Sequence, residues 1–270
     1  MKKLLLSTLL TISFLGSSFA ETKSVVLLNK IKSSSILNAK PAEGAGIGKI
    51  AIKTNLFGYL LKNYNLQGEY GFHKNLSVAV TLGLIRGLSL PKSVTSGLSV
   101  VPVFSGYGVT PELRFYPGKK EENQAPHGFY LAPYARFSGY KVSADLDYND
   151  GTKTYETTVS AGVRGVGAGL MMGSQWLVGK HFTIDWWILG GGMNKYNVIV
   201  TASNPQFKDF TDDQMEDYNN SLNDEFSGQS GPLSNLKSSA SLSGDKITVK
   251  ISGIPAIGAL RTGFCLGAYF

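Results

Sequence analysis

The C-terminal segment, Ala259 to Phe270, alternates between apolar and mixed side chains and stops on an aromatic residue. One face of this segment consists of the apolar residues Leu260, Phe264, Leu266, Ala268 and Phe270, and the other carries Arg261, Cys265 and Tyr269. Successive side chains of a β-strand point to opposite faces, so the pattern predicts a strand with one apolar wall. Outer-membrane β-barrels end in this way because the last strand closes the ring. The segment therefore predicts a closing barrel strand, with Phe270 as an assembly signal for the barrel-assembly machinery.

The N-terminus predicts export from the cytoplasm. Met1-Lys2-Lys3 is basic, an apolar run extends from Leu4 to Leu15, and Ser18-Phe19-Ala20 has the small-x-small pattern of a cleavage site. This pattern indicates a signal peptide at residues 1–20, cleaved after Ala20. The apolar run is shorter than the roughly 20 residues that a transmembrane helix needs, and no later segment supplies such a run.

Short segments with a period of two residues recur along the chain, with turn signals between them. They are Lys49–Phe57, Tyr64–Phe72, Leu76–Leu84, Gly106–Tyr116, Phe129–Tyr140, a glycine-rich stretch within Val159–Leu177, Phe182–Gly190 and the C-terminal segment. We therefore predict an all-β fold: an antiparallel transmembrane β-barrel of eight strands, arranged as an up-and-down meander over residues 49–270. A barrel of ten strands remains an alternative.

A periplasmic N-terminus would fix the sides on which the connections lie. The turns at 73–75, 117–126 and 179–181 are then periplasmic, and the outer loops are 85–102, 141–158 and a long extracellular loop at 193–253. Part of that last loop, Asp245 to Ser252, could extend the closing strand above the membrane. Residues 21–48 could form a periplasmic segment, a lumen plug or an extra strand.

Several charged residues fall on the face that the alternation turns inward. The interior of an eight-stranded barrel is only wide enough for side chains to fill it, and unpaired charges there would be costly. We therefore expect acids and bases to pair in a structural lumen charge network, with a narrow ion path as the alternative. The predicted members are Lys53, Glu69, Glu112, Arg114, Arg136, Asp185 and Arg261.

Three segments of the chain resemble a known family. They are Ile52-Lys53-Thr54-Asn55-Leu56, the Gly68-Glu69-Tyr70-Gly71 strand that leads into a His73-Lys74 turn, and Pro111-Glu112-Leu113-Arg114-Phe115-Tyr116. Together they resemble small outer-membrane β-barrels of unassigned function, found mainly in Bacteroidota and similar to the eight-stranded OmpA/opacity type. The resemblance covers Ile50 to Tyr140, and the long 193–253 insertion departs from it. It implies the fold and the location but no activity.

Composition argues against several classes of function. The formal net charge of +7 falls to +5 without Lys2 and Lys3, and the basic residues form no stripe interleaved with aromatics, so we predict no nucleic-acid partner. The single cysteine, Cys265, excludes an intrachain disulfide framework. The three histidines are close to periplasmic turns and there is no Gly-x-Ser-x-Gly motif, so we predict neither an enzyme nor a cofactor.

The long predicted loop carries a cluster of acidic residues. Asp212, Asp213, Glu216 and Asp217 could bind divalent cations such as those that bridge lipopolysaccharide, although a solvated acidic loop is the simpler interpretation. Thr211 and Gln214 have the spacing of a capping box, followed by apolar residues at helical spacing, which predicts a short amphipathic helix.

These features favour a non-enzymatic outer-membrane protein with a structural, adhesion or partner-binding role through its extracellular loops. Its expected partners are the lipid bilayer, lipopolysaccharide, the barrel-assembly machinery and an unknown extracellular partner. One alternative is a narrow pore or small-solute transporter. Another is a soluble exported ligand-binding barrel of the lipocalin type, in which the apolar face would point inward.

Overall fold

A computed structural model describes residues 50–60, 62–89, 103–117, 126–149, 154–209, 211–227, 236–257 and 260–270. The predicted signal peptide and the segment 21–48 lie outside these residues. The strands are β1 (Ile50–Asn55), β2 (Asn63–His73), β3 (Leu76–Ser89), β4 (Val103–Phe115), β5 (Gly128–Asn149), β6 (Thr154–Val178), β7 (Phe182–Ser203), β8 (Lys237–Ser243), β9 (Lys246–Ile257) and β10 (Arg261–Tyr269). The helices are α1 (Leu56–Leu60), a 3₁₀ helix (Pro205–Asp209) and α2 (Asp212–Ser227). Within the described residues, none of these helices has both the length and the apolar character needed to cross a membrane.

The strands form one antiparallel sheet that closes on itself. Strands β1 to β7 pair in sequence order, and β10 pairs with both β7 and β1 to complete a ring of eight. The register of the closure is set by pairs such as Ala51 with Tyr269 and Ile184 with Leu266. Ile50 and Phe270 exchange two backbone hydrogen bonds of 3.2 and 2.9 Å. The predicted all-β meander with eight strands in the ring is therefore confirmed, and the C-terminal segment is its closing strand.

The ring has two different ends. One end, which we call the terminal end, carries Ile50, Phe270 and the connections from β2 to β3, β4 to β5 and β6 to β7. The turn from β6 to β7 uses Gly179 at a φ of 64°, a backbone conformation that side chains disfavour. The opposite end, which we call the distal end, carries α1 and the other connections. The strand ends are therefore level with one another at the terminal end. At the distal end, the longer strands β5, β6 and β7 extend beyond the others.

Two of the predicted outer loops are wrong, because much of their sequence is β-strand. Strands β5, β6 and β7 are 22, 25 and 22 residues long, whereas a strand that crosses a bilayer needs about 10. The described residues of 141–158 hence belong to the paired strands β5 and β6, and 193–253 contain the end of β7, both later helices, β8 and most of β9. The alternation of apolar and polar residues continues through these segments. Each segment therefore has one apolar face that can be buried, and this favours an extended strand.

Strand β9 pairs with the distal part of β7, through Val200 and Val249, while β10 pairs with the part of β7 nearest the terminal end. Strands β9 and β10 both run antiparallel to β7, one after the other. Residues 246–252, which were predicted to extend the closing strand, therefore lie in a separate strand that continues the pairing along β7. We call β8, β9 and the distal parts of β5, β6 and β7 the distal sheet.

The polarity of the wall inverts between the ring and the distal sheet. In the ring, apolar side chains face outward and polar ones are buried; in the distal sheet, the buried residues are apolar. In β6, for example, Val159 and Val163 are buried while the outward Arg164 is exposed. The distal core consists of Val142, Val159, Ala161, Val163, Val198, Val200, Ala202, Phe207, Met215, Ile247, Val249 and Ile251. The distal sheet thus has the polarity of a water-soluble protein, and the ring has the reverse.

Helix α2 covers the distal sheet, and the helix predicted from the capping-box spacing is confirmed. The Thr211 backbone N–H donates to Gln214 Oε1 at 3.0 Å, and the Gln214 N–H donates to Thr211 Oγ1 at 3.4 Å. Met215 is buried in the distal core, and the Asn219 side chain donates to the backbone oxygen of Ala240 in β8 at 2.9 Å. The helix is therefore fixed both at its first turn and against the edge strand.

Removing the cap should loosen this helix alone. We expect Thr211→Ala to reduce the local stability of α2 by about 1 kcal/mol, because the Gln214 N–H loses its hydroxyl acceptor. Thr211→Ser keeps the hydroxyl and should retain most of the stability. Amide hydrogen exchange within 212–219 measures the difference; equal protection in both variants would contradict the role of the box.

Candidate functional site

The interior of the ring holds six buried charged residues, which we call the charge network. All six belonged to the predicted set, and none has more than 6 % of its surface exposed. Three are cations and three are anions, so their formal charges cancel. The members are Lys53, Glu69, Glu112, Arg114, Asp185 and Arg261.

Arg114 lies at the centre of the network. Its Nη1 donates to Glu69 at 3.0 Å and to Asp185 at 2.8 Å, and its Nε and Nη2 donate to Glu112 at 3.0 and 2.9 Å. Lys53 Nζ donates to Asp185 at 2.7 Å and also binds Glu69. Arg261 Nη2 donates to Glu112 from the distal side. Every carboxylate consequently contacts two cations, which offsets the cost of removing these charges from water.

Neutral side chains complete the hydrogen bonding around the network. The hydroxyls of Tyr116 and Tyr130 donate to Glu69 at 2.6 Å and to Asp185 at 2.8 Å, and Gln175 Oε1 accepts from Lys53 at 2.7 Å. The sequence analysis missed these three residues. Alternation places Tyr116 on the same face as Glu112 and Arg114, and Tyr130 on the same face as Arg136, which is the available signal. Gln175 lies in the glycine-rich stretch, whose register the sequence does not determine.

Small residues make room for the large inward side chains. Ala79 pairs with both Glu69 and Glu112, so two long carboxylate side chains lie on either side of a methyl group. On β6, Gly173 has the Tyr130 ring packed directly over it. The interior is therefore filled by alternating large and small residues from neighbouring strands.

A side chain at Gly173 should disturb this packing. In Gly173→Ala, the new Cβ would overlap the Tyr130 hydroxyl group and approach the Trp186 carbonyl oxygen at 2.7 Å. We expect a loss of about 1–3 kcal/mol in the free energy of unfolding, the usual cost of overpacking. Gly191→Ala is the matched control, since nothing lies within 4 Å of its Cβ position. Denaturant titration in detergent compares the two; equal midpoints would contradict the proposed packing.

Arg136 is the one predicted member that lies outside the charge network. Its guanidinium stands 5.7 Å from the Tyr134 ring centroid, and no carboxylate of the described residues is within ion-pair distance. Tyr134 pairs with Glu112, so Arg136 is two positions farther toward the distal end. The alternation predicted its face correctly, but the residue is too distal to reach the acids.

The remaining predicted features lie away from the interior. His73 and His181 are exposed at the terminal end, and His127 precedes β5 at the same end. Asp212, Asp213, Glu216 and Asp217 are exposed in the first turns of α2. Within the part of the chain that the structure describes, no three His, Cys, Asp or Glu side chains are grouped so as to hold a metal ion. The geometry therefore gives the predicted cation site no support.

A closed ring with an apolar outer wall and a buried charge network in its interior defines the class: an antiparallel β-barrel. Residues 25–211 match the model of a family described as a protein of unknown function, DUF3575, and the chain belongs to that family. The match extends through β7 and ends before α2. No curated protein and no solved structure matches the chain significantly.

Proposed function

We propose that the protein is an outer-membrane β-barrel whose sealed ring anchors the distal sheet outside the cell, where that sheet binds a partner. The role is structural or adhesive and does not involve catalysis. The terminal end faces the periplasm, and Phe270 is read by the barrel-assembly machinery. We also propose that the protein is related to the small outer-membrane barrels of Bacteroidota that it resembles.

The apolar outer wall of the ring is the observation that carries the proposal. Large apolar side chains are exposed on every strand of the ring, far more than a water-soluble surface carries in one continuous patch. Examples are Ile52, Leu66, Val80, Leu82, Leu113, Leu131, Leu170, Leu189 and Leu266. A bilayer gives these side chains an apolar surrounding, while the buried charges stay inside the ring.

Aromatic residues border this apolar band on both sides. Three strands carry an exposed aromatic pair with the same spacing: Tyr64 and Phe72, Tyr107 and Phe115, and Phe129 and Phe137. Eight residues of strand span roughly 26 Å, or about 20 Å across a bilayer at the usual strand tilt. Aromatic girdles at both interfaces with a band of about this height are typical of outer-membrane barrels.

The same wall argues against a soluble lipocalin-type barrel. Such a barrel needs an apolar interior and a polar outer face, and the ring has Arg114 and Asp185 fully buried inside while Leu82 and Phe137 are about half exposed outside. A stable monomer in detergent-free buffer would contradict the membrane location.

Basic residues at the distal border of the band support the orientation. Lys62, Arg86, Lys141, Arg164 and Lys195 are all exposed at this level. We call them the basic girdle. Lipopolysaccharide carries phosphate groups at this depth of the outer leaflet, and arginine and lysine pair well with phosphate. Other lysines, Lys74 and Lys180, are exposed in turns at the terminal end.

The charge network argues against the narrow pore, which was the alternative function. Lys53, Glu69 and Arg114 are bound to one another across the lumen and have almost no exposed surface. An ion path would have to break these pairs. We expect no conductance above baseline in planar bilayers, and reproducible channel events that Arg136→Glu abolishes would contradict a sealed lumen.

Labelling on intact cells tests the orientation. We expect the exposed Lys250, when replaced by cysteine, to react with a membrane-impermeant maleimide. Lys74→Cys should react only after the outer membrane is permeabilised. Because Cys265 is buried, the unmodified protein provides the unlabelled control. The reverse pattern of labelling would contradict the proposed orientation.

Shortening the distal sheet tests the binding role. The Asn204 N–H donates to the Asp245 carbonyl oxygen at 2.9 Å, so residues 205–244 can be replaced by a short turn without separating β7 from β9. We expect this variant to insert with unchanged heat-modifiable mobility and to lose adhesion or partner binding. Full retention of adhesion would contradict the role given to the distal sheet.

A further inference from the structure

We propose that the cavity on the distal side of the charge network is a binding site for one phosphate-type oxyanion, held between Arg136 and Arg261. The site is separate from the partner-binding surface of the distal sheet. Its oxyanion would be either free phosphate or the phosphate of a lipid headgroup.

The cavity is partly open and has a volume of about 150 Å³. Its wall is built from residues of β1 to β5, the first residues of α1 and β10, and Trp187 of β7. It contains two arginines and several amide and hydroxyl groups, and no aspartate or glutamate is among its lining residues. This volume suits a group of a few heavy atoms and is below the several hundred Å³ of most drug-sized pockets.

Arg261 forms part of the floor of this cavity and is only partly satisfied. Its side chain is 5 % exposed, and its Nη2 donates to Glu112. Its Nη1 is buried and has no hydrogen-bond partner among the described residues. A buried donor without an acceptor is costly, and one on a charged group more so. Glu112 does not offset this cost, because it already accepts hydrogen bonds from Arg114 as well.

Arg136 brings a second and uncompensated positive charge to the same cavity. Its guanidinium and that of Arg261 lie 5.7 and 5.2 Å from the centroid of the same Tyr134 ring. The six charges of the network cancel one another, so Arg136 leaves the interior with a net charge of +1. An arginine without a carboxylate partner in a partly open cavity attracts an anion.

The neighbouring polar groups fit a tetrahedral oxyanion. The hydroxyls of Thr110 and Ser138 line the cavity and can donate to its oxygens, beside the planar forks of the two guanidiniums. An oxygen seated between Arg136 and Arg261 would give Nη1 the acceptor that it lacks. Several donors on different strands would then hold one anion from different directions.

Calorimetric titration of the full-length protein, purified in a phosphate-free detergent solution, tests the site. Inorganic phosphate and glycerol 3-phosphate are the two probes. We expect saturable binding of one anion per protein. Arg136→Gln should weaken it at least about tenfold, the loss expected for hydrogen bonds to a charged group. Arg164→Gln is the matched control, because this arginine is exposed on the outer wall, and it should bind as the unmodified protein does.

Tighter binding of glycerol 3-phosphate would identify a lipid headgroup as the source, and tighter binding of inorganic phosphate would identify the free anion; both support the site. Equal affinity in Arg136→Gln and the unmodified protein would overturn it, as would the absence of saturable binding of either probe. Arg136 lies outside the charge network, so we expect the variant to keep the heat-modifiable mobility of a folded barrel.

Discussion

Replacing Arg114 with methionine is expected to destabilise the barrel by about 3–5 kcal/mol, the usual cost of removing one partner from a buried ion pair. The variant keeps an unbranched apolar chain in place of the aliphatic part of arginine and loses the guanidinium. Glu69, Glu112 and Asp185 would then share the two remaining cations, with one negative charge uncompensated in a lumen that has almost no access to water.

Denaturant unfolding in detergent or liposomes, followed by heat-modifiable mobility, measures this loss. The exposed arginine of the outer wall provides the control, and Arg164→Met should change the unfolding free energy by less than about 0.5 kcal/mol. Adding Glu112→Gln to the Arg114 variant restores charge balance and should recover part of the stability. A cost below about 1 kcal/mol for Arg114→Met would contradict a sealed, paired interior.

The second large effect concerns the outer wall. Val80 pairs with Pro111, midway between the aromatic residues that border β4, so it lies at the centre of the proposed band. In a bilayer, Val80→Arg should cost about 2–4 kcal/mol, because an arginine at the midplane must leave water. At an ordinary exposed position of a soluble protein, the same change costs about 0.5 kcal/mol or less.

The distal sheet offers a closely matched control. Ile199 is β-branched, lies on a strand and is 41 % exposed, against 40 % for Val80. If the distal sheet is in water, Ile199→Arg should have little effect on unfolding in liposomes. Similar costs at the two positions would contradict the assignment of these two surfaces to lipid and water.

The alternation of residues predicts which face of a strand each side chain occupies, and this is why six members of the charge network were predicted correctly. It does not predict how far along the barrel a residue lies. Arg136 has the correct face, yet it is two positions too distal to pair with the acids. The position of a residue along the barrel axis depends on the register between neighbouring strands. A single sequence does not specify that register.

The distal sheet was not predicted because its polarity is the reverse of the ring. Membrane strands carry their apolar side chains on the outward face, whereas segments such as 198–202 carry theirs on the inward face. Strand β7 also contains a bulge within the ring. Met172 pairs with Leu189 and Gly173 with Trp187, so Ile188 is an extra residue and the buried positions change from odd to even numbers. Such a change of phase interrupts the alternation that predicts a continuous strand.

We propose that the ring lies in lipid while the distal sheet lies in water. Spin labels on Val80→Cys and Ile199→Cys, in a Cys265→Ala background, test this in liposomes through their collisions with oxygen and with a water-soluble nickel chelate. We expect the label at position 80 to collide mainly with oxygen and the label at position 199 mainly with nickel. Equal nickel accessibility at both positions would contradict it.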